Sequence, residues 1–423
     1  MQNYLYSLFL CLLLHGVTFA QAQTNVATID SVATDTLHGD TLAVDTFAVA
    51  IDVPFGEVLK QRLAKLLENP TFERTQVGLY VYDLTGDSVV FAHNQRQQLR
   101  PASTQKVITA VTALSQLGTD YRYTTQLFLS GTIVDSTQTL QGDIAIRGGF
   151  DPLFRRDDLH SFITSLRERG ITRIAGNVLI DLSMKDETRL GWGWCWDDPY
   201  GGLTPLLYNG KDQFEEKWRT ELADAGIAFS GYFLPRTVPA TAELINERHH
   251  TIAQVLQTMM KESDNLFAES MFYQLVAQSR RPWATYKEGA SRVYTLLRSL
   301  GIDTKTCQVA DGSGLSLYNY TTPEILATLL RYAYQHQDIY ETLLPSLPIA
   351  GVDGTLRRRM RSGAAHGNVR AKTGTVEGVS ALAGYLTAGN GNRYAFAIMN
   401  QGILSTATGR NFQDRVCQAL TAK

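Results

Sequence analysis

Two hydrophobic periods share the chain, and the places where one gives way to the other divide it. From Phe55 to Leu67, apolar residues at Val58, Leu59, Leu63, Leu66 and Leu67 recur with the spacing of an amphipathic helix. Val77, Leu79 and Val81 then alternate with polar or aromatic neighbours. The turn residues Thr85-Gly86-Asp87 lead from them into Ser88-Val89-Val90-Phe91, which predicts a β-hairpin. Helical spacing returns over Gln105 to Leu117, Ile252 to Leu275 and Pro323 to Gln335. Towards the far end, Val369 to Lys372, Ser380 to Thr387 and Tyr394 to Asn400 read as three strands. The tight turn Gly389-Asn390-Gly391-Asn392 joins the last two. Strands at both ends with helices between them predict an α+β domain whose sheet is completed by the two ends of the chain.

The stretch from 128 to 245 has a different texture. Short strand-like runs, Gln126 to Leu129, Asp143 to Arg147 and Asn177 to Asp181, accompany an aromatic cluster, Gly191-Trp192-Gly193-Trp194-Cys195-Trp196. We read it as an inserted, mainly β accessory domain (128–245), leaving 55–127 and 246–423 to one catalytic-type domain. Its second half, from Leu207 to Gly231, shows one helical stretch, Asp212 to Ala225, and little sheet.

The first residues predict export. Leu5 to Leu14 form an apolar run too short to span a bilayer comfortably, and Ala20-Gln21-Ala22 fits a small-x-small cleavage site. A signal peptide over 1–22 therefore places the mature chain in the periplasm or cell envelope, although Met1 to Tyr4 lack the usual Lys or Arg. Residues 23–54 are rich in Thr, Asp, Val and Ala and lack the apolar density to fold alone, so they are expected to form a flexible segment. No later apolar run reaches about 18 residues, so no stable membrane span is expected after cleavage.

Charge narrows the partners. The chain of 423 residues has a formal net charge of -2 and no long basic block, which argues against nucleic acid. Cys195, Cys307 and Cys417 remain after cleavage, with no zinc or redox spacing among them. His249-His250 is an isolated pair without a third donor at ligand spacing. The reading therefore calls for no metal and no cofactor.

Three short motifs carry the chemistry. Ser103-Thr104-Gln105-Lys106 is an S-x-x-K, Ser263-Asp264-Asn265 an S-x-N, and Lys372-Thr373-Gly374 a K-T-G. A lone S-x-x-K is weak, since ordinary usage supplies about one by chance in a chain this long. Together and in this order, the three form the known signature of penicillin-binding proteins and class A β-lactamases. Ser103 stands where a helix begins, so the positive end of the helix dipole favours charge developing on its Oγ. Lys106 follows three residues later on the same face, placed to take the serine proton if burial and a neighbouring cation keep it neutral. Taken alone, the pair is also what a surface Lys one turn from a capping Ser looks like. Ser263 is a candidate proton relay between Lys106 and the leaving amine, and Asn265 a candidate holder of substrate backbone. The bland reading of Ser263-Asp264-Asn265 is a helix cap. Lys372 supplies positive charge, Thr373 and Thr375 offer hydroxyls to a terminal carboxylate, and Gly374 lets backbone come close. The N–H groups of Ser103 and Thr375 are candidates for an oxyanion hole.

Around these motifs the chain resembles the low-molecular-mass penicillin-binding proteins of the D-alanyl-D-alanine carboxypeptidase/endopeptidase family, in the branch with a domain inserted between the first two motifs. The resemblance rests on stretches such as Arg100-Pro101-Ala102-Ser103, Gly148-Gly149-Phe150-Asp151-Pro152, Asp311-Gly312-Ser313-Gly314-Leu315-Ser316, Leu347 to Leu356 and Ala371 to Thr375, and covers about 57 to 417. It implies a penicillin-binding-protein/β-lactamase-like domain with a five-stranded antiparallel sheet flanked by helices. It also implies an acyl-enzyme on Ser103, peptidoglycan stem peptides as substrates and β-lactams as covalent inhibitors. In relatives an Asp of the inserted domain faces the amine of the substrate's third residue, and Asp181 is the best match here. A local bond to Ser183 is the other reading of that residue. The chain departs from the family in a shorter insertion and in Leu317, where a basic residue is frequent. Two other functions use the same motifs. A serine β-lactamase or esterase would turn over penicillin rather than stay acylated, and a noncatalytic peptidoglycan-binding homologue would fail to label at Ser103.

Overall fold

The computed structural model describes residues 54–198, 202–277 and 282–423. The signal peptide expected over 1–22 lies outside the described residues, as does the 23–54 segment except Pro54. Helix α1 (Phe55–Leu67) buries Leu59 and Leu63, one turn apart. Strands β1 (Gln76–Asp83) and β2 (Ser88–His93) form the expected hairpin. Its turn is set by Asp83, whose Oδ1 accepts from the N–H groups of Thr85 and Gly86, both at 2.9 Å. A 3₁₀ turn over Ala102–Thr104 feeds α2 (Gln105–Leu117), buried without a break from Gln105 to Leu114, as befits a helix surrounded by others.

The chain then builds a second sheet. Its elements are β3 (Arg122–Val134), β4 (Thr139–Arg147), α3 (Arg156–Glu168), β5 (Arg173–Ile174), β6 (Val178–Asp181), α4 (Phe214–Asp224), β7 (Ala228–Phe229), β8 (Phe233–Pro235) and β9 (Glu243–Thr251). β3 pairs antiparallel with β4 and β9, while β5 and β6 join β4 in parallel and are extended by β7 and β8. Leu127, Leu129, Ile144, Ile146, Val178 and Ile180 alternate onto one face, where they pack against α3 and α4 through Phe162, Leu166, Trp218 and Leu222. Helices α5 (Ile252–Lys261), α6 (Asn265–Ala277), α7 (Tyr286–Ser299), α8 (Pro323–Gln335) and α9 (Gln337–Ser346) follow. Strands β10 (Arg370–Val376), β11 (Val379–Thr387) and β12 (Arg393–Gln401) and helix α10 (Thr406–Thr421) close the chain.

The first sheet is antiparallel throughout, in the order β10-β11-β12-β1-β2, so the N-terminal hairpin docks onto the C-terminal strands. Its two faces divide by alternation. Val77, Leu79, Val81, Leu382, Phe396 and Ile398 pack with α1 and α10, whereas Tyr80, Tyr82, Ala381, Ala383, Ala395 and Ala397 face the central helices. The alanines let α8 approach the sheet closely, because a short side chain keeps backbones near each other.

One helical run differs from its expected form. Ile252 to Leu275 is two helices, because Ser263 sits at φ 61, in the left-handed region that ends an α-helix. The break positions the second motif.

Candidate active site

Ser103 is half-buried in the 3₁₀ turn, while Ala102 and Thr104 on either side are buried. Ala102 adopts φ 45, and the carbonyl it carries lies where a Cβ on Gly314 would come within 1.8 Å. Only glycine fits there, and the close approach fixes the turn against the 311–316 loop.

Lys106 is fully buried, and its Nζ donates to Ser103 Oγ at 2.9 Å, Asn265 Oδ1 at 2.6 Å and the Ser313 carbonyl at 2.9 Å. Three acceptors satisfy all three ammonium hydrogens. Burial lowers its pKa to about 8, against the opposing pull of Asp311, Glu269 and Asp264. Lys372 is equally buried and donates to Ser263 Oγ and the Thr373 carbonyl, both at 2.8 Å. Burial first, and the charge of Lys106 second, hold it well below the ordinary lysine value. The nearby charges of Asp311, Glu269 and Asp264 favour a cation on Lys106, whereas Lys372 feels only burial and the charge of Lys106, so its charge is the less supported of the two.

The structure thus brings Ser103, Lys106, Ser263, Asn265, Lys372, Thr373 and Thr375 to one place. Ser103, Ser263, Thr373 and Thr375 line a cleft of about 630 Å³. Asp264 rather than Ser263 caps α6, accepting from Phe267 N at 3.1 Å, which leaves the Ser263 hydroxyl free to meet Lys372. Ser263 therefore touches Lys372, and Lys106 is held instead by Asn265.

Two residues stand differently from the sequence reading. Gly374 was expected to admit substrate backbone, but a Cβ there would meet Pro101 O at 2.5 Å, Thr104 N at 3.0 Å and Ser103 N at 3.2 Å. Its bareness lets β10 lie against the Ser103 turn. Asp181 lies in β6, 2% exposed and absent from the cleft lining. Its carboxylate accepts from Ser183 Oγ at 2.6 Å, Ser183 N at 3.0 Å, Val238 N at 3.1 Å and Arg147 Nε at 3.2 Å. Burial works to raise its pKa, but the donors from Ser183, Val238 and Arg147 outweigh it and hold the group ionised. Four donors leave it no free lone pair for a substrate amine, so the local bond to Ser183 is the reading that fits.

Several supporting residues escaped the sequence reading. Glu269, on α6, accepts from Gly312 N and Ser313 N at 3.1 and 2.8 Å, which aims the Ser313 carbonyl at Lys106. Asp311 takes Gly314 N and Ser316 N, each at 2.7 Å, and Trp194 Nε1 at 2.9 Å. Burial and the Asp311 carboxylate push Glu269 up. The run Asp311-Gly312-Ser313-Gly314 was the available signal, since its glycines and small polar residues mark a tightly folded loop. Thr355 is a further case: its hydroxyl meets Thr373 Oγ1 at 2.8 Å. His249 and His250 pair with Glu247 and Asp151.

The D-Ala-D-Ala carboxypeptidase 3 (S13) family profile matches residues 59–207 and 206–423. The chain is 26% identical over 409 residues to the D-alanyl-D-alanine carboxypeptidase DacB of Haemophilus influenzae, covering 77% of this chain and 85% of that protein. The crystal structure of penicillin binding protein 4 (dacB) from the same organism superposes with a TM-score of 0.76 at 25% identity, over 85% of this chain and 98% of that one. Its complex with a β-lactam superposes with a TM-score of 0.71 at 25% identity, over 86% of this chain and 100% of that one.

Proposed function

The chain belongs to the D-Ala-D-Ala carboxypeptidase 3 (S13) family and is a serine carboxypeptidase of the penicillin-binding type, and from that premise we propose that it cleaves D-alanyl-D-alanine peptide bonds of peptidoglycan stems through an acyl-enzyme on Ser103. The observation that carries the assignment of residues is the bond from Lys106 Nζ to Ser103 Oγ, made by a lysine whose pKa burial lowers to about 8.

The two buried lysines repel each other and hold one proton between them more readily than two. With no substrate present that proton belongs on Lys106, which has Glu269 and Asp311 near it. A terminal carboxylate bound by the hydroxyls of Thr373 and Thr375, beside Lys372, draws it to Lys372 and leaves Lys106 neutral. Lys106 then takes the Ser103 proton as Oγ attacks the penultimate carbonyl carbon, and the N–H groups of Ser103 and Thr375 receive the oxyanion. When the C–N bond breaks, the leaving nitrogen takes the proton of the Ser263 hydroxyl, which Lys372 restores. The lysine pair carries one proton before and after. Water completes the cycle by hydrolysing the ester.

Penicillins present a strained amide and a carboxylate to the same groups, and the related Haemophilus protein has been seen complexed with a β-lactam. We place the enzyme in the periplasm or cell envelope on the strength of Leu5 to Leu14 and Ala20-Gln21-Ala22. No helix of the described residues is long and apolar enough to cross a membrane. Ser103→Ala is expected to abolish both peptide release and penicillin labelling with an unchanged circular dichroism spectrum. Retained labelling in that variant would refute the assignment.

A further inference from the structure

The outer wall of the Ser103 cleft is cationic. Four of its ten lining residues are arginines, Arg357, Arg358, Arg359 and Arg410, and none is acidic. One of the four has a structural role. Arg359 donates to Asp414 Oδ1 at 2.6 and 2.9 Å, to Gln413 Oε1 at 3.0 Å and to the Arg410 carbonyl at 3.3 Å. It thereby clamps the 354–359 turn to α10 and builds one wall from two elements. Arg357, Arg358 and Arg410 are exposed, and no carboxylate among the described residues pairs with any of them. Three unpaired guanidiniums in one concavity repel each other and concentrate a positive field inside it. An arrangement of that kind is stabilised when an anion enters.

The position of the wall says which part of a substrate would meet it. The hydroxyls of Thr355 and Thr373, at 2.8 Å, tie the arginine-bearing turn to the strand that carries Thr373 and Thr375. The arginines therefore continue outward from the place assigned above to the carboxylate of the departing residue. A departing D-alanine brings one carboxylate, which the two threonines and Lys372 already serve. The cleft of about 630 Å³ has room for far more than one alanine.

We propose that Arg357, Arg358 and Arg410 form a leaving-group subsite for an acidic peptide carrying two or more carboxylates, which makes cross-linked stems with an acidic released strand the preferred substrate over stems that release a lone D-alanine. The proposal rests on the reading of Ser103 as nucleophile and of Thr373 and Thr375 as carboxylate holders. Guanidinium groups suit it, since they meet carboxylates in bidentate pairs and stay charged at any relevant pH.

The test uses three synthetic peptides sharing one D-alanyl donor. The first releases D-alanine. The second releases D-glutamate whose side-chain carboxyl carries a further glutamate through an amide bond. The third is the same as the second, with the two carboxylates of that added residue converted to amides. Size is equal in the last two, so the ratio of their kcat/KM values reads charge alone. The wild-type enzyme should favour the acidic member by about tenfold, the order that two or three exposed ion pairs supply together. That ratio should fall to about one in the triple variant R357Q/R358Q/R410Q, and should also shrink towards one between about 0.05 and 0.5 M salt as screening shortens. The triple lysine variant should restore most of it, and a variant that merely misfolds would not behave so. A wild-type ratio near one, or a preference that survives both the glutamine substitutions and the salt, overturns the subsite. Penicillin labelling of wild-type Ser103 is followed in parallel: its failure would count against the nucleophile instead.

Discussion

Lys106 shows how much of the chemistry is decided by a single side chain's surroundings. An exposed lysine one turn after a serine would stay charged and do nothing for it. Enclosed by Asn265, Ser313 and Ser103, with its pKa brought to about 8, the amine is within reach of neutrality near physiological pH. Because Lys372 titrates well below its ordinary value, the change at about 8 is the loss of the one proton that the pair must pass to the leaving nitrogen, so penicillin acylation of Ser103 should hold below about 8 and fall above it, which stopped-flow measurement over about pH 5 to 10 would check. Lys106→Arg keeps a cation that cannot give up its proton in a protein. It should lower the acylation rate by about 10²–10⁴-fold, the usual contribution of a general base. Near-normal acylation by that variant would reduce Lys106 to a source of charge. Asp181 gives the opposite lesson at the same scale. A carboxylate ending a short strand is read equally well as a substrate contact or a local cap, and only the donors around it, Ser183, Val238 and Arg147, decide between them.

At the scale of elements, the site is a junction of a turn, a helix break and a strand. Gly374 is the residue that lets β10 meet the Ser103 turn. Gly374→Ala would place a methyl group 2.5 Å from Pro101 O. Relieving that overlap should cost about 1–3 kcal/mol and displace the strand carrying Thr373 and Thr375. The expected result is a lowered Tm together with acylation slowed more than proportionately to the folded fraction. An unchanged acylation rate would show that the apposition is not needed. What could be read from sequence follows from how local each signal is. The helix from Pro323 to Gln335 and that from Gln105 to Leu117 match their expected ends, since proline, apolar spacing and glycine mark them within a few residues. The break at Ser263 was half legible: both flanking segments are apolar enough to read as one helix, while Ser263-Asp264-Asn265 also reads as the cap of a second, and Asp264 is the residue that caps it. Helices α7 and α10 do carry a helical period, Ala290, Val293, Leu296 and Leu297 in the one and Phe412, Val416, Cys417 and Leu420 in the other, although neither was among the helices expected from the sequence. The arginine wall was beyond reach for another reason: residues 357–359 and 410 meet only because the sheet brings α10 beside the turn.

Across the whole molecule, the second sheet is attached to the catalytic helices through buried contacts as well as through the chain. Phe150, which follows β4, is fully buried in the same core as α2 and α6, its ring 5.9 Å from that of Tyr273. Gln274 Nε2 donates to the Gly149 carbonyl at 2.7 Å and Tyr121 OH to Gln274 Oε1 at 2.7 Å, while Ser270 bonds the Phe150 carbonyl. Truncating that ring in Phe150→Ala should cost about 3–5 kcal/mol. Because the ring shares its core with α2, the helix that carries Lys106, penicillin labelling and circular dichroism should be lost together on heating. Loss of the second sheet's signal alone, with labelling intact, would mean that the two parts melt separately.

The docking of the first hairpin onto the last strand has a consequence for biosynthesis. Gln76 on β1 bonds Gln401 on β12, 325 residues away in the chain. A growing polypeptide therefore carries Ser103 and Lys106 long before it contains the strand that lies between β1 and β11, and β1 has nothing on its open side until translation is nearly over. Contacts of such long range make folding slow and late. Acylation competence should consequently appear all at once, on completion of the chain. A ribosome that stops before Arg393 releases a protein that can pair β1 with β2 and β10 with β11 but lacks the strand that joins the two pairs into one sheet. The export proposed above asks for passage in an unfolded state, and it fits the same order of events, since β1 has no partner on its open side until β12 has been made.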